Sequence, residues 1–321
     1  MKTTISVIVV LYNEFKIVQQ CLSSIYRQNI SNMEVLLVDN SDKAGVNVVL
    51  KKFPHLTYIK NKTNLGFGKA VNVGLLKAKG EFALILTPDT KLLPNTITKT
   101  LEFIKTNRRV ALVGCKVYSY PNNFHVSACK EFPNLISHLF EYNILFYKIC
   151  QLINSKYHPL FYSANQHKQI LFPKHIIGAY MLLRMSAIEP LKFFDNSFKM
   201  YREETDLCKR LIQNNWQIAY LPEGGLIHFG GGEWKKTTIS QALPNYMAST
   251  YTFFNKHYGK AYTVLAWILG LVSAIISIPY LYIVSTSKTI LGKKSQSTQL
   301  LPDYIKILTW HIINSFWVLS L

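Results

Sequence analysis

Runs of aliphatic and β-branched residues alternate with amphipathic stretches through the first part of the chain. SVIVVLY (6–12), MEVLLVDN (33–40), LTYIKN (56–61) and EFALILTP (81–88) each predict a buried strand, because short apolar runs bounded by turn formers suit a strand covered on both faces. EFKIVQQCLSSIYRQ (14–28) and GKAVNVGLLKAKG (68–80) carry apolar residues three and four apart, the spacing that lines one face of a helix. Alternating strands and helices predict an α/β fold with a mostly parallel central sheet. Such sheets bind ligands beyond the carboxyl ends of their strands. Polar residues gather at those ends four times: Tyr12, Asn13 and Glu14; Asp39, Asn40, Ser41 and Asp42; Asn64 to Gly68; and Thr87, Pro88 and Asp89.

The pattern changes further along. Residues 119–171 are rich in aromatics and lack strand alternation, so they read as an insertion with its own helix near LISHLFEYNILFYKICQLI. A cover on the sheet and a surface for an acceptor or a membrane are both compatible with it. Residues 261–287 contain no charged side chain, and a bilayer crossing needs about 20 apolar residues. A second apolar stretch, DYIKILTWHIINSFWVLSL, follows at 303–321. Lys256 and Lys260 precede the first stretch and Lys288, Lys293 and Lys294 follow it, whereas positive charge marks the cytoplasmic side of a simple crossing. A spanning helix and helices lying in the interface plane therefore both fit. The expected organisation is a catalytic domain over 1–240 and a helical, membrane-associated region over 241–321.

Composition narrows the classes. With 49% hydrophobic residues in 321, the chain can bury a substantial core. Its net charge of +19 calls for an anionic partner: a phosphorylated small molecule, an acidic membrane or nucleic acid. The charge is not arranged as a basic and aromatic nucleic-acid surface. Five cysteines, none in CxxC spacing, suggest neither a disulfide framework nor a zinc knuckle. The first apolar run ends in Asn13 and Glu14 without a small-residue cleavage site, so it reads as a strand and not a secretory leader.

Several residues bear candidate chemistry. A carboxylate such as Asp39 at a strand end can accept from the ring N–H of uracil or thymine, although DNSD is also an ordinary turn. NLGFGK lacks the third glycine of a dinucleotide fingerprint, Val71 standing in its place, and reads as a tight loop opening a helix. Asp89 in ILTPDT is a natural oxygen ligand for Mg²⁺ or Mn²⁺, or a turn acid capping the next helix. His228 precedes three glycines in LIHFGGGEW. Glu203, Glu204 and Asp206 fall within four residues of an acid-poor chain. Asp206 and Arg210 form an i,i+4 pair of the kind worth about 0.2–0.5 kcal/mol when exposed. The aromatic approach FFDNSFKMY would dry the two glutamates and raise a carboxyl pKa towards that of a useful base.

Taken together, SVIVVLYNE, LLVDNSD, NLGFGKAVNVG, LILTPDT, GAYMLLRMSAI, FDNSFKMYREETDLCKRL and LIHFGG resemble the family-two inverting glycosyltransferases of GT-A fold, in order and approximate spacing. The likeness is closest to their rhamnosyltransferase-like branch, covers Ser6 to about Gly232, and weakens towards Gly259. It implies a nucleotide-sugar site built from Tyr12, Glu14, Asp39, Asn64, Gly66, Asn72, Thr87 and Asp89, and a divalent cation held by Asp89 and His228. It also implies a catalytic base at Glu204, where the family typically has Asp, with Glu203 able to share that role. TPD offers one carboxylate where a full DxD motif offers two. The expected reaction moves a sugar from a dTDP-rhamnose-like or UDP-linked donor to a hydroxyl of a lipid-linked or cell-surface glycan, at the cytoplasmic face of the membrane. Transfer onto polyprenyl phosphate and an inert nucleotide-sugar-binding scaffold are the alternatives.

Overall fold

The computed structural model describes residues 4–119, 123–124, 128–154, 158–230, 239–290 and 296–321. The chain divides into two compact units, Met1–Phe132 with Phe161–Lys236, and Pro133–Leu160 with Thr237–Leu321.

The first unit is built on β1 (Ile5–Leu11), β2 (Met33–Asp39), β3 (Thr57–Lys60), β4 (Phe82–Leu86), β5 (Thr90–Leu92), β6 (Val110–Ser119), β7 (Asn123–Phe124), β8 (Cys129–Lys130), β9 (His175–Ile176), β10 (Tyr180–Arg184) and β11 (Gln217–His228). Among the described residues, nine of these strands form one sheet ordered β3-β2-β1-β4-β10-β6-β11-β5, with β7 on β6, while β8 and β9 pair separately. β3, β2, β1 and β4 run parallel, β10 runs against both β4 and β6, and β5 runs against β11. Every residue of β1 and β4 is buried, and each aliphatic side chain there contributes about 1.5–3 kcal/mol by leaving water. β3 departs from the expected buried strand. It is an edge strand paired only with β2, and Thr57 and Lys60 are exposed.

Helices α1 (Ile17–Tyr26), α2 (Asn47–Lys52), α3 (Phe67–Leu75) and α4 (Thr96–Thr106) connect the early strands. Next in the chain come α5 (Leu135–Tyr142) and α6 (Ile144–Ile153), which belong to the second unit, then α7 (Met185–Ile188) and α8 (Glu203–Gln213) in the first. β11 runs twelve residues and ends at His228. Its pairing with β6 shifts register between Leu221 and Leu226, at Pro222–Gly225, and then resumes to His228. Such bulges bend a strand and re-aim its end.

The second unit adds α9 (Ile239–Tyr258), α10 (Lys260–Ile290), α11 (Gln296–Ile313) and α12 (Ser315–Ser320). The single helix expected over 135–153 is two, because the Asn143 side chain accepts from Phe146 N at 3.0 Å and caps a new start. Tyr142, Met247, Ala274, Leu281, Tyr304 and Ile307 form its apolar core. A buried polar cluster lies alongside, with Tyr251 Oη 2.7 Å from His311 Nε2 and 3.4 Å from His138 Nε2. Gly270 of α10 packs directly on it. A methyl there would sit 2.5 Å from His311 Nε2 and 2.9 Å from Tyr251 Oη. Gly to Ala ordinarily gains about 1 kcal/mol in a helix. Gly270→Ala is expected to reverse that sign and lose about 1–3 kcal/mol to overpacking, read as a lower thermal midpoint.

Among the described residues, α10 is the one helix long and apolar enough, by length and composition, to cross a membrane. Leu265, Ile268, Val272, Ile275, Ile276 and Ile283 remain exposed along it.

Candidate active site

Parallel register brings the first strand ends together, pairing Leu11 with Asp39 and Asp39 with Lys60. Asn13 turns the chain after β1 with φ of 58°, a left-handed conformation that Asn tolerates. Its backbone N–H donates to Ser41 Oγ at 2.9 Å, and its amide donates to Asp42 at 2.6 Å. Tyr12, partly exposed, donates to Asp42 at 3.3 Å. Glu14 is buried at the start of the same turn, and its carbonyl accepts from Val18 N.

Asp39 is buried, and three donors converge on its carboxylate: Ser41 N at 2.9 Å, Tyr58 Oη at 2.7 Å and Lys60 Nζ at 3.2 Å. Burial pushes its pKa up, but the bonds from Ser41, Tyr58 and Lys60 outweigh that and hold it below the usual carboxylate range. Tyr58 and Lys60 are additions to the sequence reading. LTYIKN alternates, but only the parallel register reveals that its polar face meets Asp39.

The Asn-Gly loop is held from within. Asn40, also buried, donates to Asn64 Oδ1 at 2.8 Å and accepts from Asn61 and from Leu65 N at 3.1 and 3.0 Å. Asn64 accepts in turn from Gly66 N at 3.0 Å. Gly66 has φ of 81°, and a side chain there would run into the Lys199 carbonyl. Asn72 lies in α3 and clamps the 194–196 segment. Its amide donates to Phe194 O at 2.8 Å and Asn196 Oδ1 at 3.2 Å, and its oxygen accepts from Phe194 N at 3.0 Å.

Asp89 and His228 meet because β5 pairs with the end of β11, Thr90 opposite His228. The Asp89 carboxylate is buried and lies 3.0 Å from His228 Nε2, and Phe229 N donates to Asp89 O at 2.9 Å. The Thr87 hydroxyl, two residues away, is buried without a hydrogen-bond partner. Among the described residues, no group of three or more His, Cys, Asp and Glu side chains gathers. One carboxylate and one imidazole still suit a divalent cation that keeps waters and substrate phosphate oxygens in its shell.

α8 starts at the same edge of the sheet. Tyr180 of β10 pairs with Leu86 of β4, which sets Gly178 beside the end of β4, and a methyl on Gly178 would sit 4.0 Å from Glu204 Cγ. Glu203 packs beside Gly68 and Phe194, is 4% exposed, and its Oε2 has no hydrogen-bond partner. Burial, then the neighbouring Glu204 charge, pushes its pKa well up. The Glu204 side chain is 20% exposed, and its Oε1 lies 3.5 Å from Nε2 of buried His175. Burial raises its pKa, but His175 outweighs that and holds it below the ordinary value. The aromatic approach was expected to raise the base's pKa. Burial does raise one carboxyl here, but it is Glu203 and not Glu204.

Asp206 also differs from expectation. It is fully buried, so its 2.7 Å pair with Arg210 is not a surface pair. Arg210 also donates to Leu191 O at 2.8 Å and Phe193 O at 2.6 Å. Thiol chemistry has no place here, since burial pushes Cys21 and Cys208 up to about 12.

The chain is similar to several known proteins. An uncharacterized glycosyltransferase of Haemophilus influenzae is 34% identical over 109 residues, 34% of this chain and 37% of that one, so the match spans little more than a third of that protein. An N-acetylglucosaminyl-diphospho-decaprenol L-rhamnosyltransferase of Mycobacterium tuberculosis is 23% identical over 288 residues, 84% of this chain and 90% of that one. Among solved structures, a mannosyltransferase of Pyrobaculum calidifontis in complex with GDP-Man and Mn²⁺ superposes with a TM-score of 0.58 at 13% identity, covering 99% of this chain and 88% of that one, and shares the GT-A fold. Residues 6–191, from β1 through α7, match the family described as Glycosyl transferase family 2. The chain belongs to that family and is a glycosyltransferase.

Proposed function

We propose that the protein catalyses inverting transfer of a sugar from a nucleotide diphosphate donor to a glycan hydroxyl. The observation that carries this reading is an ionised, partly exposed carboxylate, Glu204, on the same sheet edge as Asp89 and Asp39. As the acceptor oxygen bonds to the anomeric carbon, Glu204 takes the hydroxyl proton. The bond from that carbon to the diphosphate oxygen breaks on the opposite face, and the nucleoside diphosphate leaves with the electron pair. Burial biases Glu203 towards its protonated form, which would offer an O–H to a sugar hydroxyl. Asp89 and His228 would hold a divalent cation, with the Thr87 hydroxyl nearby. Bound there, the cation would offset charge on the departing diphosphate.

The base site favours pyrimidine-diones. An ionised carboxylate has about four lone-pair positions, and Ser41, Tyr58 and Lys60 occupy most of those on Asp39. So crowded a carboxylate suits the single N3–H of uracil or thymine better than the paired N–H groups of guanine. The rhamnosyltransferase relative favours a dTDP-rhamnose donor and a lipid-linked diphosphate glycan acceptor. The exposed apolar side chains of α10, flanked by lysines, support membrane association at the cytoplasmic face.

Calorimetric titration with UDP, dTDP and GDP, each with and without Mn²⁺, tests the reading. UDP or dTDP should bind at least about tenfold tighter than GDP, as one charged hydrogen bond allows. Lys60→Met, which frees a position on Asp39, should narrow the gap. Equal or tighter binding of GDP would refute the assignment.

A further inference from the structure

We propose that His175 is the positioning residue of the transfer reaction: from the β8–β9 ribbon, its imidazole orients the Glu204 carboxylate and makes Glu204, and not Glu203, the base. This rests on the reading of Glu204 as the proton acceptor.

The geometry is specific. His175 lies opposite Lys130 in the ribbon and is 2% exposed. Its Nε2 lies 3.5 Å from Glu204 Oε1 and 3.4 Å from Thr205 Oγ1, two successive residues in the first turn of α8. An ionised carboxylate only accepts, so the shared hydrogen belongs on Nε2, and the carboxylate fixes the imidazole tautomer. Burial pushes the His175 pKa down despite Glu204, so the ring is a neutral donor.

Two adjacent carboxyl groups, one buried and the other largely covered, cannot both ionise cheaply. What separates them is their donors. Glu204 has His175, whereas Oε2 of Glu203 has none. The proton therefore settles on Glu203 and the charge on Glu204. The titratable and charged groups facing this pair are Tyr201, Arg202 and Cys208 from the same segment, His175 from β9 and Lys130 from β8. Of these, His175 places Nε2 3.5 Å from the Glu204 carboxylate. The contact also has a mechanical consequence. A glutamate has one more torsion than an aspartate, and misplacing a reacting group by about 1 Å can cost about 10²-fold. A tether on Oε1 removes that freedom.

The test follows the carboxyl carbons of ¹³C-labelled glutamate in the full chain through a pH titration, with Glu204 assigned by its loss in Glu204→Gln. In the wild type Glu204 should titrate below Glu203. In His175→Phe its midpoint should rise by about one pH unit or more, with kcat falling and KM unchanged. His175→Gln, which keeps a donor, should restore most of both. An unmoved midpoint in His175→Phe overturns the proposal. Should that variant not fold, the wild type still decides, since ¹⁵N shifts of His175 must report a neutral Nε2–H ring at about pH 7 and above, and an Nδ1–H ring overturns it. Full turnover by Glu204→Gln, with the midpoint shift intact, would instead remove the base assignment and leave the contact standing.

Discussion

Glu204→Gln should lower turnover by about 10²–10⁴-fold, the usual contribution of a positioned general base, while nucleotide affinity stays the same. Glu203→Gln should change turnover by no more than a few-fold. The contrast follows from what each carboxyl already is. Burial and the neighbouring Glu204 charge push the Glu203 pKa well up, so an amide replaces a group already biased towards its neutral form. Glu204 is held ionised by His175, so an amide removes the proton acceptor itself. A base works only above its pKa, and this one lies below the ordinary glutamate value. The acid limb of kcat/KM should therefore fall on the acid side of that value, with activity lost as pH drops through it. Steady-state rates of the two variants, with one pH profile, check this. Inactive Glu203→Gln beside active Glu204→Gln would exchange the roles.

Local patterns sufficed for β1, β2 and β4, whose apolar runs are almost wholly buried. They also named residues that the fold gathers. Asp89 and His228 lie far apart in the chain and meet through β5 and the bulged end of β11. That bulge has no periodic signature in the sequence. What could not be read depends on register and burial. Lys60 looks like one more surface lysine until β3 pairs with β2, and His175 like a core histidine until the β8–β9 ribbon aims it at α8. Asn72 was read for its place in a loop motif, but its amide is engaged with Phe194 and Asn196. The Asp206–Arg210 spacing fits an exposed helix pair equally well, and only the packed structure shows which face of α8 is covered.

That covered pair sets up the largest expected change in stability. Arg210→Met should cost about 3–5 kcal/mol, the usual penalty for removing one member of a buried ion pair. Asp206 is fully buried, so its carboxylate cannot turn to water when the guanidinium goes. The same guanidinium fastens Leu191 O and Phe193 O, on either side of Lys192, and Lys192 and Phe193 both have left-handed φ, 57° and 60°. Phe194, next in the chain, is clamped by Asn72 and, like Glu203, packs against Gly68. Loosening the segment therefore reaches the acid pair. Denaturant unfolding of Arg210→Met measures the loss, and Arg210→Met with Asp206→Leu separates its two parts. If the stranded charge dominates, the double variant should recover most of the stability, as replacing both members of a buried pair by apolar residues often does. If the fastening of 191–193 dominates, the double variant should stay as unstable as the single one, and turnover should fall in both.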